Sequence, residues 1–103
     1  MNTRLELLKS YLIEDPDDSF LQYALALEFI ALNEHSKAII ELERLLLKDP
    51  GYLPAYYMAG KTCEALTLFD KAKGWYSKGI DLARLKKDMH TLNELLAALE
   101  NLE

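Results

Sequence analysis

Cysteine occurs once in the chain, at Cys63. No intramolecular disulfide can form, which excludes a secreted, disulfide-stapled scaffold. Glycine (4) and proline (3) are scarce; with Leu, Ala, Glu and Lys dominant, helix is favoured over strand. No apolar run approaches the ~20 residues needed to span a bilayer. The N-terminus, Met1-Asn2-Thr3-Arg4-Leu5-Glu6, reads as the start of an amphipathic helix and lacks a signal-peptide apolar block. A cytoplasmic protein without a membrane partner is the expectation.

Positive charge is also lacking. Twelve basic against 17 acidic side chains give a formal net charge of −5. A domain that neutralises phosphates usually carries a basic field, so nucleic acid is not the expected partner. Residues 1–70 carry 6 basic and 12 acidic side chains, and residues 71–103 carry 6 and 5. The later cations, from Lys71 to Lys87, read as a solvated helix face, with a modest basic patch for an acidic partner as the alternative.

What is present suffices for one packed domain. The length is 103 residues, with 50% hydrophobic and 28% charged side chains, which is neither two domains nor a disordered composition.

The prolines reveal internal order. Asp15-Pro16 and Asp49-Pro50 are the same dipeptide 34 residues apart. With that register Leu25 aligns with Ala59, Ala26 with Gly60, Phe29 with Cys63, Ala38 with Ala72, and Leu42 with Tyr76. A fixed period of this length marks a solenoid whose units bury their faces against neighbours.

Each unit reads as two helices at 3.6-residue spacing, broken by Asn33-Glu34-His35 in the first and by Thr67-Leu68-Phe69-Asp70 in the second. The division is an N-terminal helix over 3–14, repeat one over 18–50, repeat two over 52–84, and a capping helix over 88–102. Leu5, Leu8 and Leu12 fall one period before Ile39, Leu42 and Leu46, so the first helix is a second-type helix without its partner. The last helix, capped by Asp88, is expected in phase with the first-type helices. Small residues at Ala26, Gly60, Ala38 and Ala72 suit close helix crossings.

Chemical constellations are missing. His35 and His90 fall in different units, and no Cys or carboxylate set repeats a ligand spacing. His90 and Glu94, four apart on a helix, read as a surface pair. Cys63 occupies a core position, which makes it a buried, inert thiol. There is no Gly-rich phosphate loop, Ser–His–Asp set or dinucleotide fingerprint, so neither an enzyme nor a bound cofactor or metal is expected.

These residues resemble the tetratricopeptide repeat family, in which an aromatic, a large apolar residue followed by Gly, and an inner aromatic precede a small Ala, an aromatic and a closing Pro. The second unit reads Tyr56, Ala59-Gly60, Cys63, Ala72, Tyr76, Arg84; the first reads Gln22, Leu25-Ala26, Phe29, Ala38, Leu42, Pro50. The layout is similar to short stand-alone bacterial members. An all-α solenoid of about six antiparallel helices is implied: two full repeats flanked by half-repeats.

The resemblance further implies a non-catalytic protein-interaction module with a concave groove, lined by the first helix of each unit and accepting a peptide or helix of a partner protein. The positions are Phe20, Tyr23, Leu27 and Ile30, then Tyr57, Lys61 and Glu64, and finally Thr91, Leu95 and Ala98. Some members grip a C-terminal carboxylate with Lys and Asn where this chain has Tyr23 and Leu27, so that clamp is absent. A self-associating element, a homodimer through the terminal helices, is the alternative.

Overall fold

Helices stop where proline removes a donor or the backbone turns left-handed, and this chain does so five times. The computed structural model describes residues 3–103; Met1 and Asn2 lie outside the described residues. There the chain forms six helices: α1 (Thr3–Glu14), α2 (Ser19–Ala31), α3 (His35–Lys48), α4 (Pro54–Ala65), α5 (Phe69–Lys86) and α6 (Met89–Glu100). No strand occurs among the described residues. The all-α helical-hairpin solenoid is therefore observed.

Pro16 and Pro50 follow α1 and α3. The other stops are residues in the left-handed region: Asn33 (φ 60°), Thr67 (φ 59°) and Lys87 (φ 58°). Each is wrapped by the same pair of backbone bonds. The N–H groups of Thr67 and Leu68 donate to Glu64 O and Cys63 O, and those of Lys87 and Asp88 donate to Arg84 O and Ala83 O. This closure satisfies carbonyls that the helix leaves orphaned. Helix starts are equally local. The Asp18 carboxylate accepts from Leu21 N (2.9 Å) and the Asp88 carboxylate from Thr91 N (3.0 Å), while Pro54 opens α4, where its missing N–H costs nothing.

Each helix packs on the next, and α4 also touches α6. Two layers result, α2–α4–α6 and α1–α3–α5, the second stitched by the Lys71–Glu43 ion pair (3.1 Å). One edge carries the turns between units. There Ser19 Oγ donates to Asp49 Oδ2 (2.7 Å) and Lys86 Nζ to Gly51 O (2.7 Å). The main core runs from α2 to α6, and a smaller one, with Leu8, Leu25, Phe29 and Ala38, lies under α1. Ala26, Ala38 and Ala72 are fully buried at the crossings. Gly79 admits Tyr56 and Leu95: a β-carbon there would stand 2.8 Å from Tyr56 Cβ and 3.0 Å from a Leu95 methyl.

The second unit departs from the sequence expectation at its end. The junction expected at residue 84 comes later, because Arg84 cannot stop a helix as Pro16 and Pro50 do. α5 runs on to Lys86 and closes at Lys87. The inward residues Leu25 and Ala59 are 34 apart, but Ala59 and Leu95 are 36 apart, all three being buried. α6 is thus two residues out of the 34-residue phase. Strict phase would put Asn93 inward, and it is exposed.

Candidate functional site

The layer of first-type helices turns one face away from the core, and α4 lies in its middle. Burial of Tyr56, Ala59, Gly60 and Cys63 fixes the inner side of α4, so residues two before and two after Ala59, at 100° per residue, point outward. These are Tyr57 and Lys61, both half-buried. Lys61 Nζ sits 5.5 Å over the Tyr57 ring and 3.9 Å from Glu64 Oε2. The Tyr57 ring in turn tilts against Tyr76, with centroids 6.2 Å apart. Tyr76 is fully buried and its hydroxyl donates to Glu64. Burial first, then this bond, pushes the Tyr76 phenol far above its ordinary range. Tyr57, Lys61 and Glu64 therefore form one connected group, backed by a side chain that stays neutral.

On α2 the same geometry, centred on Leu25, turns Tyr23 and Leu27 outward, whereas Ile30, five residues on, packs against the small core under α1. Phe20 and Leu27 are exposed, while Tyr23 and Ile30 are half-buried. Tyr23 stacks at 5.4 Å on Tyr52, from the turn before α4, and burial and the Tyr52 phenol raise its own phenol. Phe20, Tyr23 and Leu27 share a cavity of about 330 Å³ with Ala24, Ala31 and the Arg4–Glu28 ion pair (3.3 Å). It lies between α2 and the start of α1.

The expected residues of α6 fall differently. Leu95 is fully buried and Ala98 nearly so, because the two-residue phase shift rotates α6 by about 200°. Leu95 packs toward Gly79 and the core and lines no groove. Thr91 is half-buried and committed to its cap, with Oγ1 donating to Asp88 Oδ2 (2.9 Å). The outward positions are instead Asn93, Ala97 and Glu100, all exposed. Only the missing proline at position 84 could have signalled them.

A larger cavity, about 620 Å³, opens on the other layer between α1 and α3. Leu12, Ile13, Phe29 and Ile40 wall it, and Lys9, Lys37 and Arg44 stand at its rim. Two of those cations are already paired, Lys37 with Glu34 (3.2 Å) and Arg44 with Glu41 (3.3 Å). Of the other chemistry-bearing residues, Cys63 is buried, and burial raises its thiol pKa. His90 Nε2 lies 3.6 Å from Glu94 Oε1 on the surface. Trp75 is half-buried against Tyr56 (6.0 Å), with Lys78 Nζ over its ring at 4.9 Å. Among the described residues no three His, Cys, Asp or Glu side chains gather as a metal site, and no helix is long and apolar enough to cross a membrane.

The architecture is shared with solved bacterial proteins. The chain is similar to a tetratricopeptide repeat domain protein from Salinibacter ruber in its crystal structure, at 36% identity and a TM-score of 0.78, over 82% of this chain and 94% of that one. A solution structure of a tetratricopeptide repeat domain protein from the same organism gives 38% and 0.80 over 85% and 89% of the two chains. A solution structure of a Bordetella parapertussis protein is similar in fold, at 24% identity and a TM-score of 0.85 over 99% and 89%. No protein-family model and no curated protein matches the chain.

Proposed function

The chain belongs to the tetratricopeptide repeat family, and from that premise we propose that the face formed by α2, α4 and α6 binds an extended or helical segment of a partner protein. Folds of this kind serve as protein-interaction or scaffold modules and are generally non-catalytic. The finer reading rests above all on the Tyr57–Lys61 group. Tyr57 is a half-exposed aromatic whose ring already leans on Tyr76 and Lys61, so little rotamer freedom remains to be lost on binding. A rigid amphipathic anchor of this type is what binding hot spots use.

The neighbouring residues indicate the kind of segment. Phe20 and Leu27 offer exposed apolar surface at one end, and Asn93 and Glu100 offer polar groups at the other. A segment with apolar side chains toward α2 and hydrogen-bonding groups toward α6 matches that gradient. Lys61 is shared with Glu64, so it contributes orientation more than a free charge.

The test is selection of peptides from a random display library on the natural chain, followed by affinity measurement on a Tyr57→Ala, Lys61→Glu variant with an unchanged melting curve. The reading expects at least a tenfold loss, about 1.4 kcal/mol. Peptides that bind both forms equally would refute it.

A further inference from the structure

Two faces of the solenoid are apolar and uncovered by any described residue, and they are complementary halves of one repeat. On α3 the side toward α2 carries Glu41, bonded to Gln22 Nε2 (3.3 Å), and the fully buried Leu45. Their counterparts 34 residues earlier, on α1, are Leu7 and Tyr11, which are 47% and 48% exposed. This side of α1 is where a first-type helix would lie. On α4 the side that receives α5 carries Gly60, against the Tyr76 ring. Its counterpart on α6, with the 36-residue spacing, is Leu96, 37% exposed and about two turns from the exposed Met89. That side is where a second-type helix would lie.

We propose that a second copy of this chain fills both vacancies: α6 of one molecule packs against α1 of the next, and the two half-units complete a repeat. The exposed Leu7 and Tyr11 of one copy then face the Leu96 side of α6 of the other.

Charge selects this occupant. Successive turns are stitched along one edge, Ser19 to Asp49 and Lys86 to Gly51. Continuing that ladder brings the exposed Arg84, Lys86 and Lys87 of one copy beside the exposed Glu14, Asp15 and Asp17 of the next. Three cations then stand beside three anions, an attraction that added salt screens. The contact is heterologous, so it propagates as an open chain or closes as a ring and leaves the Tyr57–Lys61 face accessible.

Sedimentation velocity tests this with two variants, Tyr11→Asp on α1 and Leu96→Asp on α6. Both sites are exposed, and thermal melts check that both variants fold. The natural chain is expected to sediment as monomer, dimer and larger species as concentration rises, more weakly in high salt. Each variant alone stays monomeric, and an equimolar mixture forms a heterodimer of twice the monomer mass and nothing larger, since only one intact pair of faces remains. A natural chain that stays monomeric at millimolar concentration overturns the proposal. So does a Tyr11→Asp variant that still dimerises by itself, which would assign the contact to a two-fold meeting of α6 helices.

Discussion

The Tyr76 ring occupies the space in which a side chain at Gly60 would stand: a β-carbon there would lie 2.1 Å from Tyr76 Cε1. Tyr76 cannot swing away, being fully buried with its hydroxyl donating to Glu64. α4 and α5 therefore approach as closely as they do because position 60 is empty. Helix propensity alone would favour Gly60→Ala by about 1 kcal/mol. The contact wins, and the substitution is expected to destabilise the fold by about 1–3 kcal/mol net, the usual cost of overpacking. Chemical denaturation measures it. A stabilised variant would mean that the helices are not in close contact there.

Thr67 closes α4 in the left-handed region, φ 59°, although it is β-branched. That conformation is costly for such a residue and free for glycine. The wrapping bonds at Thr67 are backbone N–H donors, so a substitution keeps them. Thr67→Gly is expected to stabilise the chain by about 0.5–1 kcal/mol, and Asn33→Gly by less, because Asn tolerates this region. Melting temperatures of the two variants, compared with the natural chain, check both the sign and the order.

Asp88 has a carboxyl pKa lowered first by the hydrogen bond from the Thr91 backbone and then by that from its side chain. A depressed folded-state value means that the group stabilises the fold above its unfolded pKa. That contribution disappears as pH falls through the lowered folded value. The natural chain should therefore exceed Asp88→Ala in stability at neutral pH, with the difference shrinking to nothing under strongly acid conditions. Denaturation of the two chains side by side from neutral to acid pH reads this directly. A difference that does not vary with pH would show that the cap acts without its charge.

Much of this fold is legible in the sequence, because the signals are local. Asp15-Pro16 and Asp49-Pro50 mark the period, Asp18 and Asp88 cap the helices as their types suggest, and Gly60 marks a close crossing. The last junction is illegible for an equally physical reason. Lys87 is not a residue type that announces a left-handed stop, so the extension of α5 and the turned face of α6 leave no signal beyond the missing proline at position 84. Leu95 shows the consequence, since a 34-residue count sets it on the outer face and the structure sets it in the core. Tyr57 and Lys61 point outward where the 34-residue register sets them, because α4 lies inside the exact repeat. The cavities do not arise from spacing at all: Lys9, Ile13 and Ile40 meet only through the packing of α1 and α3 on α2.

The proposed function turns on which face takes the partner. Titration of the isotope-labelled chain with a display-selected peptide, followed by amide chemical shifts, measures this most directly. Perturbations are expected on α2, α4 and α6 at Tyr23, Leu27, Tyr57, Lys61 and Asn93, with Ile13, Ile40 and Arg44 unmoved. Perturbations confined to those last three, around the cavity between α1 and α3, would contradict it.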